Sequence, residues 1–211
     1  MKNEKGNNKD LDRAVMFNDA VFAIALTLLV LELRLPEGLK LNSAADMWHS
    51  LKEMMPKFLA FILSAVLVGG NWISVMNVQR IVARMDLFFV ADLVLYLIII
   101  SLIPFCCYLI GTYPENPMSF VVFGVVCELL VVNSYFFIRH CRLRNLFRPD
   151  VDLREIKRVE TALWIIFILL AVMMVLAFYS TRLSFVLFLL YNLIPFFVTQ
   201  RLKIKEPAAV D

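Results

Sequence analysis

Six stretches of this chain, at roughly 14 to 34, 57 to 78, 86 to 110, 119 to 138, 160 to 179 and 182 to 200, approach or exceed the about 20 apolar residues that cross a hydrocarbon core. Such stretches leave little choice of fold, because backbone groups in lipid must be satisfied within each segment, which favours helices. With 61% hydrophobic residues and a mean hydropathy of +0.78, the chain reads as an all-α integral membrane protein forming one six-span domain over residues 1–211. The first stretch follows a charged tail and has no small-residue cleavage site behind it, so it reads as a retained span and not a signal peptide.

Basic residues set the orientation. Sixteen of the twenty-one Lys and Arg fall in the N-terminal tail, after the second span, after the fourth span and at the C-terminal end. The opposite side carries only Arg34, Lys40, Lys52, Lys57 and Arg182. The positive-inside rule therefore places both termini in the cytoplasm. The net charge of +3 is accounted for by topology and by anionic lipid headgroups at the basic loop after the fourth span, and does not point to nucleic acid. Cys106, Cys107, Cys127 and Cys141 show no metal spacing and read as reduced, structural thiols.

Between the first two spans, Ser43 with Asp46 has the form of a capping box that opens a short helix over about 43–55. Met47, Trp48, Leu51, Met54 and Met55 recur on one face of it, which suits either the outer membrane interface or packing on the protein. Ala65, Gly69, Gly70 and Ser74 in the second span form small-residue pairs that would let another helix approach. A four-residue run, Leu-Ile-Pro-Phe, occurs at Leu102 to Phe105 and again at Leu193 to Phe196, and Pro104 and Pro195 should kink their helices. The repeat hints at two inverted three-span halves.

The first span is the most informative. On a helix, Ile24, Thr27, Leu28 and Leu31 fall at about 0°, 300°, 40° and 340°, a narrow stripe. Such a stripe suits core packing, or, repeated around an axis, a hydrophobic constriction with a ring of hydroxyls. Asp19 lies about 140° from Ile24, so it faces neighbouring protein when the stripe faces an axis. Arg13 is badly placed to pair with it on the same helix. The partner should come from another helix, with Trp72, Asn71 and Asn77 as the available donors. Asp92 and Glu128 are further intramembrane carboxylates, open to use as proton relays or to inter-helix hydrogen bonding.

The run Arg13, Phe17, Asn18, Asp19 and then AVFAIALTLLVLEL resembles the signature helix of the transmembrane protein 175 family, the lysosomal and prokaryotic potassium channels. Ser64, Trp72 and the Leu-Ile-Pro-Phe of the third span also match, and the remainder agrees mainly in span count. The resemblance implies a potassium-permeable cation channel lined by the first helix, without a re-entrant selectivity loop, and no TVGYG run occurs. A single signature with six spans implies a homotetramer. Carried over by position, Ile24 is the hydrophobic constriction, Thr27 a polar layer and Leu31 a second apolar layer, with Leu28 beside them. Arg13, Phe17, Asn18, Asp19 and Trp72 form the signature network that holds helices together. Three departures stand out: Asn18 replaces the family's Ser, Val75 replaces a frequent His, and Asp92 occupies the place of a third-span Asn.

The alternative function is a proton-coupled secondary transporter using Asp92 and Glu128. An enzyme finds little footing. His49 belongs to the interfacial helix, and His140 beside Cys141 reads as part of a solvated loop, so neither a catalytic residue nor a metal site is expected and the only ion is permeant potassium.

Overall fold

The computed structural model describes residues 2–35 and 43–199, with side chains described over 13–35 and 43–191. The side chains of Lys2, Lys5, Lys9, Lys40, Asn192, the second Leu-Ile-Pro-Phe run, Arg201, Lys203 and Lys205 lie outside the described residues. Eight helices follow in order: α1 Lys2–Val30, α2 Ala44–Glu53, α3 Met55–Ile81, α4 Leu87–Ile100, α5 Ile103–Thr112, α6 Pro117–Leu143, α7 Leu153–Ala177 and α8 Thr181–Thr199. Five described segments are long and apolar enough to cross a membrane, α4 and α5 together making one of them, and the 181–191 part of α8 is a shorter apolar helix. The protein is an all-α integral membrane protein.

Local chemistry explains the boundaries. Ser43 and Asp46 form the expected capping box at α2, with each side chain bonded to the other's backbone N–H. Asp86, Asn116 and Asp152 cap α4, α6 and α7 through their side-chain oxygens. Pro104 breaks the third span as expected. It offers no N–H to the Ile100 carbonyl, the chain tightens to a Leu102 N–H bond with the Ile99 carbonyl, and α5 restarts with the proline in its first turn. The corresponding Pro195 does not divide α8, whose backbone is helical from Thr181 to Thr199.

One expectation, the close approach at Gly69 and Gly70, is corrected within the subunit, and others are refined. Helix α1 begins at Lys2, within the charged tail, and ends at Val30. Gly69 and Gly70 do not mediate a close helix approach within the subunit, since a Cβ at either would meet nothing within 4 Å. The tight approaches are elsewhere: a Cβ on Gly111 would lie 3.1 Å from Cα of Lys57, and one on Gly124 would lie 2.4 Å from Cγ of Met174. Met47 and Trp48 on α2 and Met55 at the start of α3 are exposed, while Ser50 and the C-cap Met54 are buried where α2 meets α3.

The core runs through the middle of the bundle, with Phe22, Leu63, Ile100, Phe123, Leu170 and Phe188 fully enclosed. Phe123 and Phe188 meet edge to face at 5.4 Å between centroids. In lipid no hydrophobic gain separates these contacts from contacts with acyl chains, so interdigitation and polar bonds decide the packing.

A second cluster ties the ends of four helices together. Asn145, with φ of 52°, ends α6 in the left-handed conformation, and the Leu146 N–H returns to the Cys141 carbonyl at 2.9 Å. The Leu146 carbonyl then accepts from the N–H of Ala83 at 2.8 Å, and the Arg148 N–H bonds the Ile81 carbonyl at 2.9 Å, forming a short antiparallel bridge between Val82 and Phe147. Around it pack Phe89, Ile138, Cys141, Leu146 and Ile156.

Candidate functional site: the exposed face of the first helix

Helix α1 has two opposed faces. Asn18, Phe22, Ala25 and Leu29 recur at helical spacing and are buried against α3, α4 and α5. Ile24, Thr27, Leu28 and Leu31 fall on the other side and are exposed, Ile24 at 58%. The stripe therefore takes no part in the subunit's own core. Thr27 donates its hydroxyl hydrogen to the Ile24 carbonyl at 2.8 Å, which fixes its rotamer. Leu31 stands one residue beyond α1, where the Leu31, Glu32 and Leu33 N–H groups bond back three residues to Leu28, Leu29 and Val30, so the ideal wheel does not apply to it unchanged.

The partner of Asp19 is Trp72, whose indole N–H donates to Oδ1 at 2.8 Å. Asn71 is otherwise engaged, donating to the Leu67 carbonyl and accepting from the Tyr96 hydroxyl at 2.6 Å. Asn18 is fully enclosed, and neither its amide nitrogen nor its oxygen has a partner. Arg13 and Phe17 are exposed on the subunit, on the same side of α1 as Ile24. Of the signature set, the subunit brings Asp19 and Trp72 into contact, buries Asn18, and leaves Arg13 and Phe17 outward.

The other ionisable groups are separately housed. Asp92 is buried and accepts from Nδ2 of Asn133 at 2.9 Å, while Glu128 is half-buried with Oε1 unpartnered. His49 lies 3.7 Å from Glu53 on α2. His140 is not part of a solvated loop: it lies within α6, meets Asp86 at 2.8 Å and packs on the Phe88 ring at 4.3 Å. Burial opposes the charge on Asp86, but the Phe89 N–H, His140 and Arg144 together hold its carboxyl below the usual range. All four cysteines are buried free thiols, and among the described residues no cluster of three or more His, Cys, Asp or Glu is placed to hold a metal.

Residues 13–104 match the family described as the endosomal/lysosomal potassium channel TMEM175. This chain belongs to the TMEM175 family. The match begins at Arg13 and ends at Pro104, so it takes in the signature helix, Trp72 and the break in the third span. A potassium channel of Streptomyces collinus is 28% identical over 145 residues, covering 66% of this chain and 69% of the relative. One from Chamaesiphon minutus is 30% identical over 136 residues, 64% of this chain and 66% of the relative. The crystal structure of a lysosomal potassium-selective channel TMEM175 homolog from Chamaesiphon minutus superimposes with a TM-score of 0.78 at 25% identity, over 90% of this chain and 98% of that one.

The tie between the ends of α3 and α6 in this TMEM175 chain escapes sequence reasoning, although Asp86 and Asp152, each directly ahead of a helical run, carry the N-cap signal that frames it.

Proposed function

We propose that this chain is a potassium-permeable channel that conducts passively, and that four copies surround a pore lined by α1. The observation that carries the reading is the two-sided character of α1. One face is locked into the subunit by Phe22, Ala25, Leu29 and the Asp19–Trp72 bond, while the opposite apolar stripe is left open at a place where family relatives are named potassium channels. Ile24 forms the constriction that gates by dewetting, Thr27 contributes a ring of hydroxyl oxygens, and Leu28 and Leu31 extend the apolar wall. Arg13 and Phe17, outward on the subunit, meet the neighbouring subunit near the inner end of the pore.

The six spans act as one domain over residues 1–211, with both termini cytoplasmic in a bacterial inner membrane. Exposed Arg144, Arg148 and Arg154 face anionic headgroups. The protein needs no cofactor, has potassium as its permeant ion and performs no catalysis. The comparisons lend no support to a proton-coupled carrier.

Purified protein in planar bilayers, with potassium and sodium on opposite sides, tests this. Potassium current without a coupled ion is expected, and Ile24→Asn should raise conductance by wetting the constriction. Unchanged current in a correctly assembled Ile24→Asn protein would take Ile24 out of the pore, and saturable, proton-driven uptake would overturn the channel.

A further inference from the structure

A cavity of about 180 Å³ lies between α3, α4, α6 and α7, and no α1 residue is among its described lining residues. Its wall combines Val, Leu and Ile side chains with a polar patch that includes Asn77, Gln79, Asp92, Asn133 and Ser134. Three buried atoms in that patch have no partner: Oδ2 of Asp92, Oδ1 of Asn133 and Nε2 of Gln79, on residues 8%, 5% and 8% exposed. Asp92 and Asn133 satisfy each other through Oδ1 and Nδ2, so each has one oxygen left over.

Asp92 is the only acidic or basic side chain among the described lining residues. A carboxylate buried at membrane depth, with His140 acting on it only from outside the lining, is costly, so an occupant that supplies positive charge removes a large penalty. Among the described residues no group of three or more His, Cys, Asp or Glu is placed to hold a metal ion, so an organic cation suits this wall better than a bare metal ion. The volume exceeds the roughly 150 Å³ that accommodates a benzene in an engineered protein cavity. Space continues beside the patch, since a Cβ on Gly70, which lines the cavity, would meet nothing within 4 Å.

We propose that this cavity binds a small organic ammonium bearing an apolar ring, separately from the permeation path. The ammonium donates to Oδ2 of Asp92 and Oδ1 of Asn133, the ring rests among Leu130, Leu163 and Ile166, and a water beside the head group accepts from Gln79.

Calorimetric titration of the purified full-length protein with benzylammonium and with its neutral counterpart, benzyl alcohol, tests the site at pH 7. Benzylammonium should bind saturably and at least about tenfold more tightly than the alcohol, as expected for a buried charge pair. Asp92→Asn, which keeps an oxygen to accept from Asn133, should abolish that preference. Gly70→Leu, or Ala162→Phe if the first does not fold, should remove binding of both compounds by filling the space. Ile24→Asn should leave binding unchanged. Absence of binding, equal affinity for the two compounds, binding that survives both Asp92→Asn and the filled cavity, or loss in Ile24→Asn overturns the proposal. None of these readouts depends on ion flux.

Discussion

The indole N–H of Trp72 reaches Oδ1 of Asp19 at 2.8 Å, so a directed polar bond ties α3 to α1 partway along its length. Hydrogen bonds to charged groups contribute about 1.5–3 kcal/mol, and the exposure of Asp19 on the subunit argues for the low end, about 1.5 kcal/mol. Trp72→Phe should lower the thermal midpoint in detergent, whereas Asp19→Asn, which still accepts from the indole, should lower it less. Equal midpoints for Trp72→Phe and the parent protein would show that the bond contributes nothing to holding α1.

Arg142 and Glu160 join α6 to α7 through a 2.9 Å bond between largely enclosed side chains. Removing one partner strands the other charge, at a cost of about 3 kcal/mol for a pair at this depth. Glu160→Ala should therefore destabilise more than the double variant Glu160→Ala with Arg142→Met, which leaves no stranded charge. A double-mutant cycle of thermal midpoints measures the difference, and additive effects would contradict it.

Asp86 supplies an acid-sensitive element outside the spans. Its folded carboxyl sits below its ordinary value, so its contribution to stability is complete above about pH 4 and is lost as pH falls through the folded value. Asp86→Asn, which preserves an N-cap oxygen for Phe89, should flatten the acid limb of a stability-against-pH curve by lowering neutral-pH stability toward the acid value. Asp86→Ala should additionally cost about 1 kcal/mol at neutral pH through the lost cap. An unaltered acid limb in Asp86→Asn would assign acid sensitivity to other groups.

Glycines in this chain should divide sharply on substitution. Gly111→Ala presses a methyl against the Lys57 backbone and should cost about 1–3 kcal/mol, since α3 and α5 must separate. Gly69→Ala meets nothing and should be neutral or stabilising by up to about 1 kcal/mol through helix propensity. Thermal unfolding of the two variants side by side checks the order.

What the sequence made legible was local. The Ser43–Asp46 box, the break at Pro104 and the opposition of Asp19 to Ile24 each follow from spacing along one helix or from the chemistry of one residue, and the structure carries them. The pairings Tyr96 with Asn71, Asp92 with Asn133 and His140 with Asp86 join residues 25, 41 and 54 positions apart, and periodicity is silent at such distances. The same limit applies to the small-residue contact: Gly69 and Gly70 have the spacing for a helix interface, yet within the subunit a Cβ at either would meet nothing within 4 Å. A wheel also presumes a helix that continues, and α1 stops at Val30, one residue short of Leu31.

The bond from Thr27 to the Ile24 carbonyl has a bearing on the sign of the permeating charge. With its one hydrogen committed to the backbone, the hydroxyl turns outward only as lone pairs. In the four-copy pore proposed above, four such oxygens around the axis would form a collar of negative electrostatic potential with no proton to offer an anion. Discrimination between chloride and a cation would then be set by the rotamer of a threonine, without a charged ring anywhere along the apolar stripe.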